Sequence, residues 1–358
     1  PADPAAAPPR SACSVMASSV SRYAPNSRYA ARGEGLQAVP ADVQAIADTL
    51  RTLDLSANEL QALSLPASLP VLEELLLADN LLDAPTLQRL RPALPATLRV
   101  LDLTANRLVA FPPLLLRLGQ LAVLRVARQQ LRALPSALSA LVSLEELDAS
   151  YNSLGSALQL DAPGLPRLRR LLLSGNCLTT LRLDPECVPR LRVLEAADNK
   201  IASWPEDLGD LVELHTLNLG NNGLKSLAGT ELVSRKRMWM PRRGVHEMLG
   251  LSTLHLPHNE MSDLPPTLGL LSHLRLLDVR CNPLGEETLR AAAAQCRQLG
   301  ARLRCVRFAA LLPPALPPSL LPGCLLLPDP IAETSAAAHR PTLVRAHVTH
   351  ILSIAPPA

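Results

Sequence analysis

Four residues late in the chain have side chains of the kinds that hold zinc: His255, His258, Asp278 and Cys281. Imidazole, carboxylate and thiolate are its usual ligands. The members of each pair are three residues apart, and the pairs are 23 residues apart. If the pairs occupy equivalent places on adjacent strands, about 4.8 Å from each other, all four side chains can meet on one surface. The plain alternative is an ordinary polar surface, and the sequence favours it, so no metal or cofactor is expected.

Other chemical signals are fainter. GNNGLKSL, from Gly220 to Leu227, has the flavour of a phosphate loop but lacks the Gly-Lys-Ser order that such a loop needs. Serines and histidines occur without a nucleophile elbow or a paired base. The chain is expected not to be an enzyme.

What positions these residues is a period. LRVLDLTANRL, Leu98 to Leu108, places Leu at positions 1, 4, 6 and 11 and Asn at 9. Ten segments match, with position 9 filled by Asn58, Asn80, Asn106, Gln129, Asn152, Asn176, Asn199, Asn222, Asn259 and Asn282. We number them coils 1 to 10. The steps are 22, 26, 23, 23, 24, 23, 23, 37 and 23 residues, the signature of a solenoid.

The residue types follow from strand geometry. Positions 3 to 5 read as a short strand, so residues 4 and 6 point into the solenoid while 3 and 5 point out. The sharp turn that follows leaves buried backbone groups in need of partners. An Asn side chain both donates and accepts, and can bond its own coil and the adjacent one. Gln129 carries that amide on a longer stem, and Ala149 and Ala196 replace the position-6 leucine, so these three coils are expected to be the softer ones.

The outer half of each coil reads FPPLLLRLGQL from Phe111, LPSALSAL from Leu134, WPEDLGDL from Trp204 and LPPTLGLL from Leu264. About twelve residues remain there, barely room for an average helix and two turns. A thin outer side of 3₁₀ or short helical turns, started by the prolines, is predicted.

The inner sheet face is left for recognition. Ten strands at about 4.8 Å span about 48 Å. The candidate partner-binding residues are Asp102, Arg125, Arg128, Asp148, Tyr151, Arg170, Glu195 and Asp198. Arg and Tyr are frequent anchors at interfaces. The simpler account pairs Arg125 with Asp148 across neighbouring strands, worth about 0–1 kcal/mol when exposed.

Composition agrees with a binding module. The 358 residues are 48% apolar and 19% charged, enough to bury a large core, and a net charge of +3 gives no global pull toward nucleic acid. Aromatics are only 2%, too few for base-stacking platforms. Seven cysteines, with no CxxC pair and no clustered caps, favour a reducing compartment and a cytoplasmic protein. No run of 18 apolar residues could span a bilayer.

The ends and one gap lie outside the period. Residues 1–34 are expected to be a disordered leader. Met16 reads as the start, and the Ser- and Arg-rich, acid-free segment after it overlaps with organellar transit composition. Gly35 to Ile46 looks like the second half of a repeat without its strand, closing one end of the core. The long step after Asn222 is an insert, 228–250, holding Arg235, Lys236, Arg237, Arg242 and Arg243 around Met238, Trp239 and Met240. Such a loop could touch acidic lipid or an acidic partner; otherwise it is a solvated loop or retained non-coding sequence. After Leu284 an amphipathic helix is predicted to cap the far end, and 301–358 is a Pro-rich tail expected to be disordered.

The pattern LxxLxLxxNxLxxLPxxLxxL, matched over roughly Gly35 to Leu284, resembles the intracellular leucine-rich repeat proteins with typical 23-residue repeats, among them Ras-scaffold and plant Ras-group-related members. The resemblance implies an α/β repeat solenoid, a right-handed leucine-rich repeat with a parallel concave sheet and a thin convex side, over 35–300. It also implies a monomeric, non-catalytic scaffold that binds another protein on its concave face, with a small GTPase or a phosphatase complex as the partner class. A membrane-associated adaptor using the basic insert, 235–243, is the alternative.

Overall fold

A computed structural model of the chain describes residues 23–24, 28–90, 93–155, 157–160, 164–227, 245, 248, 250–298, 305–309, 324–327 and 350–355. The repeated strands form one parallel sheet, and consecutive coils pair without a slip. Position 4 aligns Cα to Cα from Leu53 through Leu75, Leu101, Leu124, Leu147, Leu171, Leu194, Leu217 and Leu254 to Leu277. Each of these leucines is at most 1% exposed. Burying one contributes about 1.5–3 kcal/mol, and no coil can bury its own face alone. Stacking is therefore what makes the fold stable.

The turn after each strand is closed by the position-9 carboxamide. Asn152 is typical: its Oδ1 accepts from the Leu131 amide at 3.0 Å, while its Nδ2 donates to the carbonyls of Val126, Ala149 and Ser150 at 2.9, 3.1 and 3.2 Å. Two of those partners belong to the preceding coil and two to its own. Gln129 keeps only the inter-coil pair, accepting from Leu108 at 2.8 Å and donating to the Leu103 carbonyl at 2.6 Å.

On the convex side, 3₁₀ turns run over Pro113–Arg117, Ser136–Ala140, Glu206–Asp210 and Pro266–Leu270. Each is entered from a proline, at 112, 135, 205 and 265, whose fixed φ suits a helical start. Coils 5 and 6 depart from this pattern. There Ala157–Leu160 and Thr180–Leu183 form a second, two-stranded parallel sheet. These segments lack the proline, and their leucines alternate by two, with Leu158, Leu160, Leu181 and Leu183 all buried.

Three expectations are corrected. The N-terminal half repeat does have its strand: Arg28–Ala30 pairs in parallel with Thr52–Asp54. Tyr29 and Ala31 stand where leucines were sought, and both are fully buried, so residues 28–31 belong to the stack although the sequence reading put them in the segment before it. The Tyr29 hydroxyl lies 3.0 and 3.1 Å from the two carboxylate oxygens of Asp42 on the 3₁₀ turn Ala41–Ile46. Tyr23–Ala24 adds an antiparallel strand at this edge. At the other end, the segment beyond 301 is not without regular structure. Cys305–Ala309 pairs in parallel with Leu276–Asp278, and His350–Ala355 joins it to Cys324–Leu327. A bare sheet edge is a template for such pairing.

The insert leaves the stack intact, because Thr216–Asn218 pairs directly with Thr253–His255 and Asn259 bonds the Leu224 amide at 3.1 Å. The α-helix Glu286–Gln298 follows coil 10, with Ala292 buried and Thr288 Oγ1 donating to Asp263 at 3.3 Å. No helix among the described residues is long and apolar enough to cross a membrane.

Replacing Asn152 with Ala leaves the Leu131 amide and the Val126 carbonyl unmet at about 1–3 kcal/mol per group, while the Ala149 and Ser150 carbonyls keep Asn176 Nδ2 and the Arg128 amide as donors. Urea unfolding should show a loss of about 2–4 kcal/mol. Gln129→Asn should gain about 1 kcal/mol by supplying the two bonds to its own turn; no gain would mean that coil 4 has already adapted its turn.

Candidate partner-binding face

The turn that ends each strand presents the recognition residues in a fixed way. Position 8 adopts a left-handed backbone in every coil. Ala57, Asp79, Ala105, Arg128, Tyr151, Asp198, Asn221, His258 and Cys281 have φ between 50° and 57°, and Gly175 has 71°. That conformation costs a non-glycine residue about 1–2 kcal/mol, so surrounding bonds must hold it. The position-9 carboxamide is one such bond, and position 5 supplies another. Asp54, Asp102, Asp148, Asn218 and Asp278 each accept from the amide two residues on, at 2.9 to 3.3 Å. These are Asx turns. Asp102 and Asp148, read from sequence as partner contacts, thus also shape the turn.

In the centre the structure regroups the predicted charges. Arg125 and Asp148 are register partners, yet they do not pair. Arg125 Nε and Nη2 instead donate to Glu146 Oε1 at 3.0 and 2.8 Å, and its Nη1 lies 3.9 Å from Asp102. Arg170 Nη1 is 3.6 Å from the other Glu146 oxygen. Glu146 is therefore clamped between two arginines. The sequence reading placed Arg170, at position 3 of coil 6, among the candidates but left out Glu146, at position 3 of coil 5, although both point out on the same face. The register Glu146↔Arg170 was the signal available.

Next to this clamp runs an exposed ridge. Tyr151 is 55% exposed, and the Arg128 guanidinium carbon lies 5.8 Å from its ring centroid, within cation–π range. A Cβ on Gly175 would fall 2.5 Å from Tyr151 Cδ1, so the ring rests on the backbone of coil 6, and only glycine leaves it room. In coil 7 Asp198 accepts from Asn221 Nδ2 at 2.6 Å. Among the described residues, neither Asp198 nor Glu195 forms an ion pair.

The four candidate zinc ligands are not brought together as a site. Asp278 is held by Arg280, whose Nε and Nη2 donate at 3.0 and 2.9 Å, with His255 Nδ1 3.8 Å away. A guanidinium thus sits where a cation would bind. His258 and Cys281 occupy the left-handed position-8 places of their coils, and among the described residues no group of three His, Cys, Asp or Glu could hold a metal. The basic insert reading, 235–243, falls outside the described residues.

Asp278 has one testable consequence. Burial would raise its pKa, but the nearby His255 imidazole and the hydrogen bonds and charge of Arg280 outweigh it and hold the group down from 3.8 to about 2. A folded pKa below the unfolded one stabilises the protein above the unfolded value, and that stability is lost as pH falls through the folded value. About 2 kcal/mol should therefore disappear between roughly pH 4 and pH 2. Asp278→Asn should lose it at neutral pH and flatten that part of the profile; an unchanged acid limb would show that the pairing is not formed.

Comparison with known proteins agrees with this geometry. The family model for leucine-rich repeats (two copies) matches residues 189–232. Podocan-like protein 1 of Mus musculus is 33% identical over 305 residues, covering 69% of this chain and 50% of its own length. MAP kinase phosphatase with leucine-rich repeats protein 1 of Dictyostelium discoideum is 38% identical over 92 residues, covering 26% of this chain and 10% of its own. The chain spans about half the length of the podocan-like relatives it matches. Among solved structures, a leucine-rich repeat protein of Leptospira interrogans superposes with a TM-score of 0.55 at 23% identity, over 74% of each chain. A chain of the octameric complex of Latrophilin 3, Unc5D and FLRT2, the last present as its leucine-rich repeat part, gives 0.59 at 20%, over 78% of this chain and 81% of that one. At such identities these likenesses speak for fold alone. With the ten-coil register and the carboxamide-closed turns, they identify the chain as a leucine-rich repeat protein.

Proposed function

We propose that the chain is a non-catalytic interaction module that captures another protein on its concave sheet face, centred on coils 4 to 7. One observation carries this reading. Tyr151, a large side chain in a chain poor in aromatics, stands 55% exposed on a rigid left-handed turn, braced by Arg128 on one side and Gly175 on the other. A rigid, exposed aromatic beside arginines is the composition of an interface anchor. Glu146, only 14% exposed and bonded by two arginines, keeps the charged surroundings ordered before any partner arrives, and preorganisation lowers the cost of binding.

The partner class carried over from the family resemblance, a small GTPase or a phosphatase complex, and the monomeric state belong to this proposal and rest on analogy. Two relatives have phosphatase in their names, the Dictyostelium protein above and a PH domain leucine-rich repeat-containing protein phosphatase 1 of Mus musculus. A reducing compartment is likewise proposed, on the cysteine pattern; Cys177 and Cys281 are free thiols.

The test is differential capture. Wild type, Tyr151→Ala, Arg128→Glu and the outer-turn control Arg117→Glu are immobilised, and bound proteins are quantified by mass spectrometry. Tyr151→Ala and Arg128→Glu should each lose more than tenfold of the proteins that wild type and Arg117→Glu retain, with thermal midpoints nearly unchanged. Retention by all four proteins would move the site off the concave centre.

A further inference from the structure

The ridge formed by position 8 in coils 4 to 7 has a chemical polarity that narrows the partner. Arg128, Tyr151, Gly175 and Asp198 occupy the same left-handed place in four consecutive coils whose strands are in register. Three steps of about 4.8 Å put Arg128 about 14 Å from Asp198. One end is cationic and the other anionic, where Glu195 lies three residues before Asp198.

Two other charged groups on the face are met internally. Arg125 is met by Glu146 and Asp102, and Asp278 by Arg280. Arg128 has no carboxylate at ion-pair distance among the described residues, and Asp198 and Glu195 have no cation. Between these ends the Tyr151 ring offers an exposed apolar surface seated over Gly175.

An extended polypeptide has matching dimensions. Residues i, i+2 and i+4 lie on one face, and i to i+4 spans about 13 Å. Resting on the reading above, we propose that this ridge docks an extended segment of the partner protein that carries one acidic and one basic side chain four residues apart, with an apolar side chain midway. The acidic group meets Arg128, the apolar group seats on Tyr151, and the basic group meets Asp198 and Glu195. A segment with two like charges places one of them against its own sign, so charge order along the ridge selects the partner.

The experiment uses three labelled synthetic peptides, Glu-Ser-Leu-Ser-Lys, Glu-Ser-Leu-Ser-Glu and Lys-Ser-Leu-Ser-Lys, blocked at both ends and titrated by fluorescence polarisation at low ionic strength. The proteins are wild type, Arg128→Glu, and Asp198→Lys combined with Glu195→Gln. Wild type should prefer the mixed peptide over each like-charged one by about fivefold, the scale of one exposed ion pair. Arg128→Glu should shift the preference to the Lys/Lys peptide, the double variant should shift it to Glu/Glu, and added salt should erase both differences. If a charge-reversed protein fails to fold, Arg128→Gln should abolish the preference of the mixed peptide over Lys/Lys, and Asp198→Asn combined with Glu195→Gln should abolish its preference over Glu/Glu. The same ranking on all proteins, or no ranking on any, overturns the proposal. That result together with loss of capture by Tyr151→Ala would leave the concave-face reading standing, whereas retained capture would remove the reading beneath it.

Discussion

A carboxamide that bonds two coils at once is the interaction on which the rest of this structure depends. Every strand ends in a tight inward turn, and its amides and carbonyls are shut away from water. A buried group without a partner costs about 1–3 kcal/mol, so an unbridged turn in each of ten coils would cancel a large part of what the leucine stack contributes. The position-9 side chain removes that cost and fixes each coil's height and rotation against its neighbour, as the bonds of Asn176 to Leu154, Ala149 and Leu173 illustrate.

From this follows the character of the inner face. The carboxamide, joined in five coils by a position-5 Asx bond, holds position 8 in a conformation that its residues would otherwise avoid. Side chains such as Tyr151, whose turn has both bonds, are therefore delivered to the surface from a constrained backbone. The strained ridge belongs to the scaffold, and its side chains are the variable part. A repeat architecture thereby separates what must stay constant for stability from what can change for recognition.

The periodic fold was legible because leucines at positions 1, 4, 6 and 11 have one geometric explanation, and the prolines foretold the thin outer turns. The terminal coil escaped notice because Tyr29 and Ala31 fill the core where the template sought leucine; together they occupy similar space in a different shape. The outer strands of coils 5 and 6 were missed because a two-residue leucine alternation there competes with the expected helical turn over very few residues. Within the site, Arg125, Arg128 and Tyr151 were found from residue type. The rearranged pairing with Glu146 was not found, since side chains as long as Arg choose among several carboxylates by rotamer, which strand register does not decide. The left-handed ridge was hidden because Ala57, Ala105, Arg128, Tyr151 and Cys281, which do not usually mark a positive φ, alternate with the Gly, Asn, Asp and His residues that do.

The claim that the carboxamides lock the stack is tested most directly by native-state hydrogen exchange on the unbound chain. The amides of Leu131, Leu154 and Leu178 are bonded to the side chains of Asn152, Asn176 and Asn199. On this account they exchange as slowly as the strand amides of Leu147 and Leu171 and through the same cooperative opening. Exchange as rapid as that of the outer 3₁₀ turns would contradict it.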